Sequence, residues 1–198
     1  MDESVRRALA RWPNVPAAYG WLALDRRGTW HLEGRPLRHA RTIDFIGRNY
    51  QADENGAWHF QNGPQRAYVK LAYTPWVLHL RAGRAPVAAG ALATHTQQPV
   101  MTLRSAWLDE EGSLLLETAA GISVLDDRDL AAMSGALCDR AGRPLDDAAL
   151  AEGFAAALEG APHALHLAYA DALLPVATLP AAEVAARFGF IADPQPPG

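Results

Sequence analysis

Residues 61–66, Gln-Asn-Gly-Pro-Gln-Arg, concentrate two amides, Asn62 and Gln65, with the guanidinium of Arg66 in a turn between strand-like segments. Arg48, followed by Asn49 and Tyr50, stands just upstream at the end of a helical stretch. Flat, multi-donor groups of this kind suit a phosphate, a carboxylate or the edge of a base. The alternative is a Gly-Pro turn whose polar residues are simply solvated. Thr94-His95-Thr96-Gln97-Gln98 is polar without formal charge, and suits either the lining of a crevice or an exposed loop. Taken together, these residues predict an anionic small molecule held between an N-terminal and a C-terminal half. Arg48 and Arg66 would hold its charge, Asn62 and Gln65 would read its polar edge, and His95 and Thr96 would close the site.

Other constellations carry less. There is no Gly-x-Ser-x-Gly, no P-loop and no Gly-x-Gly-x-x-Gly. Cys138 is the single cysteine and has no base near it in sequence. The histidines lack zinc-site spacing, and the alternation around His163-x-x-His166 reads as strand, so no metal is expected. Asp126-Asp127-Arg128-Asp129 is the densest carboxylate cluster; it suits a helix cap better than a cation loop, which would need glycine. Tyr73-Thr74-Pro75-Trp76 could stack on a base or fill a strand edge. Enzyme activity is the least favoured reading, with His95 and the 126–129 carboxylates as its acid–base candidates; no catalytic residue and no cofactor is assigned.

The elements that must position these groups are punctuated by a recurring Asp-x-x-Gly. It occurs at Asp25–Gly28, Asp53–Gly56, Asp109–Gly112 and Asp139–Gly142, each between strand-like flanks. Asp opens a tight turn by bonding backbone N–H groups with its side chain, and Gly closes it at positive φ. Trp30-His31-Leu32 and Trp58-His59-Phe60 follow two of these turns almost identically, with Leu114-Leu115-Leu116 in the equivalent place. Two turns precede an Arg-Pro-Leu and then a helical stretch, 38–50 and 146–159, the second behind an Asp146 or Asp147 cap. Ile43, Ile46 and Tyr50 recur at helical spacing in the first; Leu150, Phe154, Ala157 and Leu158 do so in the second.

Further helices are expected at 4–11, 127–134 and 180–188, the last ending at Gly189. Strands are expected near 19–24, 29–33, 57–61, 66–72, 76–81, 100–108, 113–118, 121–125, 163–169 and 173–178. The Gly/Ala/Pro-rich stretch 82–93 reads as a linker, and the tail 193–198 as disordered. The fold class is therefore α+β, with two similar halves, residues 1–85 and 86–198, each an antiparallel β meander packed on one main helix.

Of the 198 residues, 49% are apolar, which fits a globular chain. Residues 1–85 carry 13 basic and 7 acidic side chains, a net +6, while 86–198 carry 5 and 15, a net −10. Either the halves dock through opposite fields, or the basic half holds an anion. Net acidity argues against general nucleic-acid binding. No apolar run is long enough for a membrane helix, the start Met1–Arg7 lacks a leader's apolar region, and one cysteine fits a reducing cytoplasm. Lysine occurs once, at Lys70, amid abundant Arg and Ala, the usage of a GC-rich bacterial genome.

The run Trp30-His31-Leu32-Glu33-Gly34-Arg35-Pro36-Leu37, the Asp53-x-x-Gly56-x-Trp58-x-Phe60 turn, residues 61–66, Tyr68-Val69 and Thr74-Pro75-Trp76-Val77 together resemble an uncharacterised bacterial domain-of-unknown-function family. The resemblance covers residues 21–81 well and 94–178 weakly. It implies a duplicated helix-plus-meander fold with a pleckstrin-homology-like second half, a small-ligand site between the halves, nucleotide-like, and a role in signalling. It brings no activity. The function expected is a ligand-binding or sensory protein. The alternative is a protein-interaction module meeting a partner or a second copy through its acidic half or the apolar stretch 172–179.

Overall fold

The computed structural model describes residues 1–13 and 15–197; Asn14 and Gly198 lie outside the described residues. The fold is α+β. The chain divides into two compact units, one formed by residues 1–75 with 188–198 and the other by 76–187.

In the first unit α1 (Glu3–Arg11) precedes β1 (Ala18–Leu24), β2 (Trp30–Leu32) and β3 (Arg35–Pro36). Then follow α2 (Ala40–Arg48), β4 (Tyr50–Ala52), β5 (Trp58–Asn62) and β6 (Gln65–Leu71). The sheet order is β3-β2-β1-β6-β5-β4. Two antiparallel meanders are thus joined by a parallel pairing of β1 with β6, which a purely antiparallel reading of the sequence does not contain. The first helix stretch is shorter than its apolar spacing suggests: Tyr50 belongs to β4, and its hydroxyl donates to the Pro75 carbonyl.

The second unit begins with β7 (Trp76–Leu80), β8 (Leu92–Thr94), β9 (Pro99–Val100), β10 (Ser105–Leu108), β11 (Leu114–Thr118) and β12 (Gly121–Leu125). It continues with α3 (Leu130–Met133) between two 3-10 turns, then β13 (Leu137–Cys138), α4 (Asp147–Leu158), β14 (His166–Tyr169), β15 (Ala172–Thr178) and α5 (Ala181–Phe188). Its order is β13-β14-β15-β10-β11-β12-β7-β8-β9. Here again the first strand of one meander pairs in parallel with the last strand of the next, β7 with β12 and β10 with β15.

The four Asp-x-x-Gly turns share one geometry. Each Asp Oδ1 accepts the N–H groups two and four residues on. These are Arg27 and Thr29 for Asp25, Asn55 and Ala57 for Asp53, Glu111 and Ser113 for Asp109, and Ala141 and Arg143 for Asp139, at 2.7–3.0 Å. The glycine N–H returns to the Asp carbonyl, and the glycine φ lies between 75° and 80°. In three of the four, the turn joins the first two strands of a meander. In the fourth, Pro144 bridges back to Cys138 and α4 is inserted before β14.

Three expectations are corrected. The stretch 82–93 is not a linker, because it lies inside the second unit and its Ala91 and Leu92 are fully buried. Within 193–197 of the tail, Asp193 pairs with Lys70 at 2.8 Å and Pro194 is buried; just before it, Ala192 accepts the Leu71 N–H. On α4, Ala157 is buried as the spacing requires, but Leu158 is exposed. The core of the second unit gathers Leu78, Leu108, Leu116, Leu125, Met133 and Tyr169.

Candidate functional site

The first unit holds an open cleft of about 590 Å³, within the range of small-molecule sites. Its position follows from local sequence. On α2, Thr42 and Ile46 stand one turn apart on one face, and Phe45 beside them meets Phe60 of β5 edge-on at 5.4 Å. Leu22, Phe60 and Ala67 supply the sheet side, and Leu37 the approach to the helix. Trp21 (60% exposed) and Leu32 (45%) form an apolar mouth.

An irregularity in β1 explains how consecutive residues reach the same cleft. Ala18 pairs with Ala67 and Leu22 with Val69, so four residues of β1 span what two residues of β6 span. Gly20, at φ 74°, sits in the middle of the bulge. Tyr19 and Trp21 flank it, and both line the cleft alongside Leu22. An isolated glycine within the strand-like Ala-Tyr-Gly-Trp-Leu was the sequence signal for this bulge.

Two of the sequence-selected residues meet here. Asn62, the last residue of β5, and Gln65, the first of β6, line the rim. The Gln65 amide donates to the Pro16 carbonyl at 3.3 Å, while the Asn62 side chain makes no hydrogen bond among the described residues. Strand alternation separates Asn62 from its neighbour Gln61, which is fully buried and donates to the Gly63 and Gln65 carbonyls. Gln61 shares its face with the buried His59, whose Nε2 lies 3.3 Å from the Gln51 amide. Burial lowers the His59 pKa, and Arg66 lowers it further; Gln61 lies close enough to raise it, although no well-formed bond joins Nδ1 to Oε1.

The remaining selected residues stand elsewhere. Arg48 is engaged by Asp2 at 3.2 Å and does not line the cleft. Arg66 is exposed, pairs across the strands with Gln61 and acts on Tyr68 and His59. His95 and Thr96 belong to the second unit. There Thr96 bonds Thr94 at 2.9 Å, and His95 is buried beside Trp76 with Nδ1 accepting the Val77 N–H. Burial, helped by the neighbouring His79, lowers the His95 pKa to about 3, so this ring is neutral.

The 126–129 carboxylates meet His79, whose Nδ1 is 3.1 Å from Asp126 Oδ2. With Asp129 these groups present three donor atoms within 4.8 Å of one another. The arrangement is nevertheless the expected cap. Asp126 accepts the Arg128 N–H and is clamped by the Arg128 guanidinium, and Asp129 accepts the Leu80 N–H at 2.8 Å. Burial pushes the Asp126 carboxyl up, but Arg128 outweighs it and holds the pKa at about 2. The positive charge that a cation would supply is already there.

The family model DUF2944, "Protein of unknown function (DUF2946)", matches residues 1–195. No curated protein is significantly similar to the chain. Among solved structures, a DUF1285 family protein from Silicibacter pomeroyi DSS-3 is 13% identical, with a TM-score of 0.53 over 86% of this chain and 87% of that one, a likeness of fold alone. A DUF1285 family protein from Shewanella baltica OS155 is 12% identical, with a TM-score of 0.41 over 56% of this chain and 87% of that one. No helix among the described residues is long and apolar enough to cross a membrane.

Proposed function

Since this chain belongs to the DUF2944 family, whose description names no activity, we propose a function from the cleft itself: a small-molecule-binding or sensory protein whose ligand lies in the first unit. The observation that carries the reading is a cleft of about 590 Å³ that, among the described residues, has no charged side chain in its lining and an unengaged Asn62 amide at its rim. Apolar surface binds the body of the ligand, and a few placed polar groups fix its orientation. Asn62 and Gln65 take that second part. Arg48, held by Asp2, does not.

Thermal unfolding against a panel of uncharged and charged apolar compounds tests this. A ligand at about 100 times its Kd stabilises the protein by about 2.7 kcal/mol. The shift should weaken in Asn62→Ala and in Trp21→Ala, both exposed positions whose truncation leaves the fold intact. A panel without any shift, or a shift untouched by both variants, sinks the reading. The interaction reading has less to draw on, because the apolar stretch at 172–179 is taken up by β15 between β14 and β10. Its Val176 and Leu179 are buried, and Leu173 is the large apolar side chain left exposed there.

A further inference from the structure

The lining of the cleft is neutral, but the segment that runs along it is not. Between the cleft-lining residues Leu32 and Thr42 stand Arg35, Arg38 and Arg41. All three are exposed, and none of their side chains has an ion-pair or hydrogen-bond partner among the described residues. Arg38 follows Leu37 and Arg41 precedes Thr42, so each begins about 3.8 Å along the chain from a residue that lines the cleft. Arg41 also lies one helical turn before Phe45, on the stripe that meets Phe60.

Nearby carboxylates do not answer this charge. Asp2 is taken by Arg48, Asp25 by His31 and its turn, and Asp53 by Tyr68 and its turn. Glu33 and Asp44, the acidic residues closest in sequence, form no ion pair with the three arginines. The first turn of α2 has no acidic residue, and its cap is the His39 ring, which accepts the Thr42 N–H. Cations at this end of a helix are locally unfavourable, and an anion placed among them relieves the field.

We infer that the ligand of the cleft is an amphiphilic anion, an alkyl or acyl carboxylate whose chain fills the apolar cleft and whose head group is held by Arg38 and Arg41. The inference rests on the cleft being a ligand site and adds the chemical class of the ligand. Two guanidinium forks suit the paired oxygens of a carboxylate. The occupant is a free molecule and not a bilayer surface, because behind the exposed mouth of Trp21 and Leu32 the apolar walls recede: Leu22 and Ile46 are each 3% exposed.

Isothermal titration of the full chain with decanoate, dodecanoate and uncharged dodecanol tests it. Dodecanoate should bind about tenfold or more tighter than dodecanol, the difference of a charge-assisted contact. Affinity should rise about fourfold for each added methylene until the cleft is full. The double variant Arg38→Gln, Arg41→Gln, with circular dichroism unchanged, should bring dodecanoate down to the affinity of dodecanol. Thr42→Trp, which crowds the cleft, should abolish both. If acid and alcohol bind alike and the arginine variant changes nothing, the charge inference is overturned while the cleft stands. If neither binds, or if Thr42→Trp leaves both intact, the cleft reading itself has failed. Capture by phosphatidylglycerol vesicles without binding of dodecanoate assigns the surface to a membrane and overturns the inference as well.

Discussion

Gly56 and Gly142 occupy the same position of two identical turns, with φ of 80° and 77° and the same hydrogen bonds. They differ in what lies outside. A Cβ on Gly142 meets nothing within 4 Å, whereas a Cβ on Gly56 would sit 2.1 Å from the Gly189 carbonyl oxygen, which is backbone. Alanine at 142 should therefore cost only the left-handed conformation, about 1–2 kcal/mol. Alanine at 56 bears the same cost and must also displace the returning C-terminal segment. That segment is held by the Ile191 N–H on the Gly56 carbonyl at 3.0 Å and by the Leu71 N–H on the Ala192 carbonyl at 2.7 Å. Losing two backbone bonds at about 0.5–1.5 kcal/mol each brings the total to about 2–5 kcal/mol. Urea unfolding measures the two losses, and amide hydrogen exchange reads the segment directly. In Gly56→Ala the Ile191 and Leu71 amides should exchange faster, while in Gly142→Ala they should not. Equal destabilisation by the two variants, with those amides still protected, would refute the claim that close backbone approach sets the requirement at Gly56.

Three further outcomes follow from buried polar groups. Tyr169→Phe should cost about 1–3 kcal/mol by chemical denaturation, since its hydroxyl donates to the Val100 carbonyl at 2.6 Å and accepts the Leu92 N–H at 3.2 Å, both in buried residues. His95 is held neutral with a pKa of about 3, below its unfolded value of about 6.5. The unfolded chain thus takes up a proton that the folded one refuses, and stability present above pH 6.5 is lost as the pH falls toward 3. His95→Gln should flatten the pH dependence of urea stability across that window; an unchanged slope would assign it to other groups. Asp126 has the opposite charge and the same direction of loss. With its pKa at about 2 it contributes stability above about pH 4 that disappears as the pH falls through 2. Arg128→Gln should move the acid transition of this unit up toward about pH 4, followed by circular dichroism.

What the sequence revealed was what local chemistry decides. The four Asp-x-x-Gly turns were legible because one carboxylate and one glycine determine the whole geometry, and all four adopt it. The cap of α4, read as Asp146 or Asp147 and found at Asp146, and the Gly189 helix end were legible for the same reason. The parallel pairings were not, since β1 meets β6 across some forty residues and nothing near either strand announces it. Residues 82–93 misled because small residues mark flexible segments and tight packing alike. Here Ala91 and Leu92 lie in the core, and the Tyr169 hydroxyl accepts the Leu92 N–H. Of the predicted site residues, Asn62 and Gln65 share a cleft because a two-residue turn joins the ends of β5 and β6. Arg48 stands apart from that cleft, held by Asp2, which lies forty-six residues earlier, on the approach to α1.

The cleft itself follows from an imbalance of sizes. Six strands spaced by about 4.8 Å present a face about 24 Å across, whereas a helix with its side chains is about 10 Å wide. α2 has nine residues, and its Phe45 seats it on Phe60 of β5, toward one side of the sheet. The β1 and β2 side of that face therefore stays open, and its Leu22 and Leu32 become cleft wall. A strand without the Gly20 bulge would turn Trp21 away from Leu22. With the bulge, Tyr19, Trp21 and Leu22 all reach the cleft, and Trp21 remains 60% exposed. Keeping that indole in water forgoes the gain of burying it, about 1.5–3 kcal/mol for a large apolar side chain. A monomer selected for stability alone would lengthen α2 or replace Trp21 with a polar residue. The short helix, the exposed tryptophan and the Gly20 bulge are together what keeps the proposed site open.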